Sequence, residues 1–159
     1  MRARTYEVLG EGLMRQRVDG HKFEDEFSNI VGKRKTVIRL HTPNTGYAGL
    51  VQPSDFIVIG NTFSFIETKE TGKDTFSISD MEQLDSMRQF VEEKFMGKGQ
   101  LQSDMQYLVI VHFIKRGVIK VMSAEYAFDL LLHKKTLRYD DANTWGFSSL
   151  KELEEKLYL

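Results

Sequence analysis

Residues 55–69 read Asp55-Phe56-Ile57-Val58-Ile59-Gly60-Asn61-Thr62-Phe63-Ser64-Phe65-Ile66-Glu67-Thr68-Lys69. Both halves of this stretch are rich in aromatic and β-branched residues, which favour strands. Gly60-Asn61 between them is a turn signal. The pattern therefore predicts two antiparallel strands, Asp55–Ile59 and Thr62–Lys69, joined by a tight turn.

Helices and further strands are predicted on both sides of this hairpin. Upstream, apolar residues recur at three- and four-residue steps from Lys22 to Gly32, which indicates an amphipathic helix. Downstream, Ser79 with Glu82 three residues later has the pattern of a capping box. The complete set of further predictions is a helix over 22–32, strands over 36–40, 105–114 and 118–122, and helices over 79–96, 123–133 (capped by Ser123) and 147–158. This order predicts an α/β domain whose helices pack on a central sheet.

The length and composition point to one domain without membrane spans. A chain of 159 residues suits a single core, so we expect one domain over residues 1–159, with 1–18 forming a flexible or helical N-terminal arm. No apolar run is long enough to span a bilayer, and the N-terminus lacks the apolar segment of a secretory signal. The absence of cysteine excludes disulfides and thiolate zinc sites, and we expect a cytoplasmic protein.

The net charge is the main evidence against a nucleic-acid ligand. The formal net charge is −1, whereas proteins that bind nucleic acids usually carry a positive excess. However, Lys33, Arg34, Lys35 and Arg39 lie close together without an intervening acidic residue. These four residues are candidate phosphate contacts, and the alternative is an ordinary solvated surface.

Three charged residues at the ends of the hairpin strands form a candidate catalytic set. Glu67 and Lys69 are two residues apart and so emerge on the same face, while Asp55 opens the antiparallel partner strand at the same end. Paired carboxylates suit Mg²⁺, which prefers oxygen ligands, and Lys69 could orient water or stabilise charge on a phosphate. An ordinary salt bridge at the strand edge is the alternative, because this spacing also arises by chance.

A longer set of residues resembles a known nuclease family. The run Glu67-Thr68-Lys69-Glu70-Thr71, in order with Ser54-Asp55-Phe56, Phe76 and Gln83, is similar to the core of RecU-type Holliday junction resolvases, which belong to the PD-(D/E)xK nucleases. Upstream, Gly20-His21-Lys22-Phe23-Glu24 resembles the first helix of that family. The resemblance covers roughly residues 19–122, with a weaker similarity over 148–159.

The resemblance implies a fold, an activity and a ligand set. The implied fold is a restriction-endonuclease-like core. Asp55 and Glu67 would bind Mg²⁺, with Mn²⁺ able to substitute, Glu24 would complete the acidic cluster, and Lys69 would be catalytic, with Gln83 acting beside it. The implied protein is a homodimer that cuts four-way DNA junctions. Glu24 and Gln83 could instead be ordinary polar residues on helix surfaces.

One departure from the family pattern concerns substrate choice. In RecU-type enzymes a long projecting stalk precedes the strand that bears the Asp, whereas here only His41 to Gln52 is available. Junction selectivity is therefore less well supported than nuclease chemistry. The alternatives are another PD-(D/E)xK DNA nuclease without junction selectivity, or a non-catalytic DNA-binding module of the same fold.

Overall fold

The computed structural model describes residues 22–40, 54–81, 83–92 and 105–159. Its helices are α1 over 22–31, α2 Leu84–Val91, α3 Ala124–Leu132 and α4 Leu150–Lys156. Its strands are β1 Thr36–Arg39, β2 Phe56–Ile59, β3 Phe63–Thr71, β4 Thr75–Phe76, β5 Met105–Phe113, β6 Val118–Ser123, β7 Leu137–Arg138 and β8 Trp145–Phe147. The predicted arm over 1–18 and the loop from His41 to Gln52 lie outside the described residues.

Six strands form one mixed sheet in the order β1-β2-β3-β5-β6-β8. β3 and β5 are parallel, and the other neighbours are antiparallel. Parallel neighbours need a long crossover connection, and here the connection between β3 and β5 contains β4 and α2. The predicted class is confirmed: the chain is an α/β protein whose mixed central sheet is flanked by four helices, compatible with a restriction-endonuclease-like core.

The predicted hairpin is confirmed in register. Phe56 pairs with Ile66 and Ile59 with Phe63, and Gly60 N donates to Thr62 O at 3.0 Å across the turn. β5 is the predicted buried strand: five consecutive residues, Tyr107–Val111, are buried. A strand covered by helices on both faces needs apolar side chains on both, which explains its nearly continuous hydrophobic sequence.

The helices cover the sheet in two pairs, and each pair defines a face. The α2–α3 face includes buried Phe65, Tyr107, Val109, Met87 and Ala127. The α1–α4 face includes buried Phe27, Phe56, Ile66, Ile110 and Leu153. Successive residues of a strand point to opposite faces, so Glu67 and Lys69 follow Phe65 to the α2–α3 face, whereas Thr68 and Glu70 follow Ile66 to the α1–α4 face.

The prediction that a helix begins at Ser79 is wrong. Ser79 lies in a 3-10 turn, Ile78–Asp80, and its hydroxyl is 2.7 Å from that of Ser77. Met81 is extended and buried, so the chain leaves helical geometry there, and α2 begins only at Leu84. Burying Ile78 and Met81 in the core thus displaces the start of the helix. The predicted partner Glu82 and the end of the predicted helix, 93–96, lie outside the described residues.

The last helix also begins later than predicted. Residues Trp145–Phe147 form β8, in which Phe147 pairs with Ile119 of β6. Ser149 then caps α4, its Oγ accepting from Glu152 N at 3.1 Å. The predicted cap of α3 is confirmed, since Ser123 Oγ accepts from Tyr126 N at 3.2 Å. Among the helices of the described residues, none combines the length and the apolar character needed to cross a membrane.

Candidate active site

Asp55 lies immediately before β2. Its amide donates to Ile66 O at 3.0 Å, which anchors Asp55 to β3 at the residue that precedes Glu67. Both the backbone amide and the hydroxyl of Thr68 donate to Asp55 Oδ2, each at 2.9 Å. Two donors on one oxygen fix the orientation of the carboxylate, and Oδ1 receives neither of these two hydrogen bonds.

Glu67 is a fully buried carboxylate in the middle of β3. Lys69 Nζ lies 3.0 Å from its Oε1 and stabilises the charged form by its charge and by hydrogen bonding, while Oε2 accepts no hydrogen bond from the part of the chain that the structure describes. Burial, and next the negative charge of Asp55, raise the pKa of Glu67 to about 7, although Lys69 opposes this change. A buried acceptor without a donor is costly, so this site favours a proton or a cation.

The pKa of Asp55 is raised by the same surroundings. Burial is the largest cause, and the charge of Glu24 adds to it, whereas the hydrogen bonds from Thr68 and the charge of Lys69 lower the pKa. The two carboxylates therefore share an electrostatic environment that disfavours their simultaneous ionisation.

Lys69 connects the carboxylates to α2. Besides facing Glu67, its ammonium lies 3.4 Å from Gln83 Oε1, a long contact in which Lys69 donates. Gln83 immediately precedes α2, and its side chain therefore reaches the lysine. The structure thus brings Asp55, Glu67, Lys69 and Gln83 together, as predicted from the sequence, while their roles stay predictions.

Glu24 approaches the site from α1 and is held by an arginine. Its charge raises the pKa of both Asp55 and Glu67. Glu24 Oε2 accepts from Arg39 Nη2, and Asp25 Oδ1 accepts from Arg39 Nη1 at 2.8 Å. Arg39 also lies over the Phe56 ring, 5.6 Å from its centroid. Arg39, predicted from the sequence to contact DNA, therefore pairs with two carboxylates beside the site.

The remaining predicted phosphate contacts lie elsewhere. Lys33, Arg34 and Lys35 are not at the end of the sheet that bears the carboxylates. These residues precede β1, whose first residue, Thr36, pairs with Ile59 at the turn end of the hairpin, so they lie at the opposite end from Asp55. Lys35 Nζ is also 2.9 Å from Glu154 Oε1, on the α1–α4 face. Whether these residues bind DNA stays a prediction.

The donor set fits a divalent cation through two carboxylates. Among residues 22–40, 54–81, 83–92 and 105–159, no three His, Cys, Asp or Glu side chains are grouped as metal ligands. Mg²⁺ is commonly bound through one or two carboxylates, with waters and phosphates completing its shell. The carboxylates of Asp55 and Glu67 fit that pattern, and Glu24, paired with Arg39, is an outer member of the cluster.

Two residues that interact with the candidate active site were not predicted from the sequence. Thr68 points to the α1–α4 face, yet it reaches Asp55 with both its amide and its hydroxyl, which alternation along the strand does not reveal. Tyr107 is buried on the α2–α3 face, where burial and then the charges of Glu67 and Asp55 raise the pKa of its hydroxyl. From the sequence, Tyr107 is predicted only to be a core residue of β5.

Comparison with protein-family models returned no match, and neither did comparison with curated proteins. The likeness to RecU-type resolvases therefore stays a prediction based on the residues quoted above.

Proposed function

We propose that the chain is a metal-dependent DNA endonuclease of the PD-(D/E)xK kind. One observation carries the proposal: Asp55, immediately before β2, lies beside Glu67 in the middle of β3, and Lys69 Nζ is 3.0 Å from Oε1 of this buried glutamate, whose Oε2 accepts no hydrogen bond within the described chain. An ordinary strand-edge salt bridge would leave its carboxylate in solvent. The complete burial of Glu67 therefore favours a site built for a cation.

Asp55 and Glu67 would hold Mg²⁺, with Mn²⁺ able to substitute. When bound, the metal would polarise the scissile phosphate and lower the pKa of a coordinated water. Thr68 fixes the Asp55 carboxylate through two donors to Oδ2. Preorganisation of this kind lowers the cost of assembling the ligands around a cation.

Lys69 supplies the positive charge in this proposal. Its ammonium is oriented by Glu67 and Gln83, and it would orient the attacking water or stabilise the charge that develops on the phosphate. Gln83 acts on the lysine rather than on the phosphate. Glu24 adds negative charge from α1, which strengthens the attraction of the site for a divalent cation.

The proposal for the substrate has two parts, DNA in general and four-way junctions in particular. DNA with a cleavable phosphodiester follows from the nuclease chemistry. Four-way junctions and a homodimeric enzyme follow only from the resemblance to RecU-type resolvases. A two-fold dimer would present two sites to two symmetric strands. The shortened loop from His41 to Gln52, outside the described residues, is the reason to test junction preference separately.

The test uses the wild-type protein with labelled DNA. A four-way junction and a linear duplex of the same arm sequence are incubated with Mg²⁺, with Mn²⁺ or with EDTA. Cleavage with either metal and none with EDTA is expected, whereas metal-independent cleavage or no cleavage would refute the proposal. Affinities for both DNAs at one salt concentration, with sedimentation at micromolar protein, test the junction preference and the dimer. Equal affinities for the two DNAs, or a monomeric protein, would contradict the junction-resolving dimer and favour a nuclease without junction selectivity.

A further inference from the structure

Four cations cluster beyond the candidate active site, at the carboxyl ends of β3 and β5. These strands are parallel neighbours, so their carboxyl ends meet at one end of the sheet. Lys73 follows β3, the 3-10 turn Ile114–Arg116 follows β5, and Arg138 lies in β7. We name Lys73, Lys115, Arg116 and Arg138 the site-end basic cluster. All four residues are exposed.

The site-end basic cluster shares a face of the sheet with the active-site side chains. Arg138 lies in the ribbon of β4 and β7, and its neighbour Leu137 is buried with Phe65 in the core of the α2–α3 face. Glu67 and Lys69 point to that same face. Lys73 follows Lys69 by four residues, a span of at most about 13 Å along the strand, which corresponds to about four phosphates of one DNA strand.

Two acidic residues organise the cluster without neutralising it. Asp74 accepts two hydrogen bonds from Arg116, at 2.9 and 2.8 Å, and Asp140 accepts from Arg138 at 2.9 Å. The Tyr139 ring has both guanidinium groups near it, at 4.4 and 5.9 Å from its centroid.

The two lysines of the cluster carry its excess charge. Within residues 22–40, 54–81, 83–92 and 105–159, neither Lys73 nor Lys115 forms a salt bridge. Four cations against two carboxylates therefore leave an excess of two positive charges on this exposed surface.

We propose that the site-end basic cluster binds the DNA backbone beside the scissile phosphate. This inference rests on the proposed function. Exposed ammonium groups bind phosphates without reading bases, and this cluster lies at the same end and on the same face as the proposed metal ligands. Lys73 and Lys115 make the phosphate contacts, while Asp74 and Asp140 hold the two arginines in place. By contrast, Lys33, Arg34 and Lys35 lie at the other end of the sheet, where both Arg34 and Lys35 form salt bridges with Glu154.

The test compares two double variants that each remove two exposed positive charges. They are Lys73→Ala with Lys115→Ala and, as the comparison (called the control below), Lys33→Ala with Arg34→Ala; Arg34 Nη1 lies 3.9 Å from Glu154 Oε2. Binding of a labelled duplex of about three helical turns is measured by fluorescence anisotropy in EDTA at several salt concentrations between about 50 and 200 mM. Thermal unfolding checks that both variants keep the fold.

The Lys73/Lys115 variant is expected to lose on the order of tenfold or more in affinity at low salt. Its slope of log affinity against log salt should fall by about 0.9 for each lost contact. The Lys33/Arg34 variant tests phosphate contacts that the sequence predicts, and it should lose clearly less affinity than the Lys73/Lys115 variant. An unchanged affinity of the Lys73/Lys115 variant, or an equal loss in the control, would overturn the inference while cleavage by the wild type still supports the proposed function. If the wild type neither binds nor cuts DNA, both fail.

Discussion

Replacing Glu67 by Gln is expected to remove a pH dependence from the stability of the metal-free protein. In the folded chain burial raises the pKa of Glu67 from 4.5 to about 7. Between these two pH values the folded state binds more protons than the unfolded state, so the free energy of unfolding falls as the pH rises. The stabilisation is complete below about pH 4.5 and is lost as the pH passes through 7. A glutamine side chain does not titrate and cannot contribute this dependence.

The magnitude follows from the two pKa values. A rise from 4.5 to about 7 corresponds to about 3 kcal/mol at roughly 1.4 kcal/mol for each pKa unit. Gln is close in size to a protonated Glu, so the variant and the wild type should unfold with similar free energies at about pH 4. Between about pH 4 and pH 8 the difference in free energy of unfolding should therefore change by about 3 kcal/mol in favour of the variant.

Urea unfolding in EDTA between about pH 4 and 8 measures this difference. The matched control is Glu155→Gln, which removes an exposed carboxylate of α4 and should leave the pH dependence of wild type. A difference between Glu67→Gln and wild type that stays constant across the pH range would refute the reasoning about the buried carboxylate. Added Mg²⁺ at about pH 8 should stabilise the wild type, by about 2.7 kcal/mol at a hundred times its Kd, and should stabilise the Glu67→Gln variant much less.

Three further substitutions separate the roles of the neighbouring residues. Lys69→Ala should lower the single-turnover cleavage rate on the order of a hundredfold or more while DNA binding changes far less, and a rate loss explained wholly by weaker binding would make Lys69 only a phosphate contact. Thr68→Val keeps the backbone donor to Asp55 but removes the hydroxyl, so calorimetry should show Mg²⁺ affinity reduced roughly tenfold, the scale of one hydrogen bond to a charged group. Thr68→Ser should restore the Mg²⁺ affinity. Unchanged affinity in the valine variant would exclude a positioning role for the Thr68 hydroxyl. Arg39→Met removes the partner of Glu24 and Asp25 and should lower the free energy of unfolding by about 1–2 kcal/mol without altering the salt dependence of DNA binding. An altered salt dependence with unchanged stability would assign Arg39 to DNA instead.

Local pattern was sufficient to predict the hairpin and the group of residues at its end. The alternation that places Glu67 and Lys69 on one face is a property of any strand, and the tight turn at Gly60-Asn61 sets the register that brings Asp55 next to Glu67. The continuous apolar run of β5 likewise marks a strand buried on both faces. These predictions needed no knowledge of distant contacts.

The positions of the basic residues and the helix starts depended on contacts distant in sequence. The basic residues Lys33, Arg34 and Lys35 are close to Arg39 along the chain, but the length of β1 separates them from it in space. The partner of Lys35 is Glu154, which is distant in sequence. Ser79 has the sequence of a helix cap, yet burial of Met81 in the core outweighed that local preference. Phe147 fits the apolar side of a helix equally well, but pairing with Ile119 makes it part of a strand.

Single-turnover cleavage by the Asp55→Asn variant tests the central claim most directly. Asn preserves the size of the side chain and one oxygen for the Thr68 donors, so the fold should persist while the ligand charge is lost. With Mg²⁺ and a labelled four-way junction or duplex, the wild type and the Glu155→Gln control should cleave, and Asp55→Asn should show no Mg²⁺-dependent cleavage although it binds the DNA in EDTA at least as tightly as the wild type. Cleavage by Asp55→Asn at a rate near that of the wild type would contradict the account.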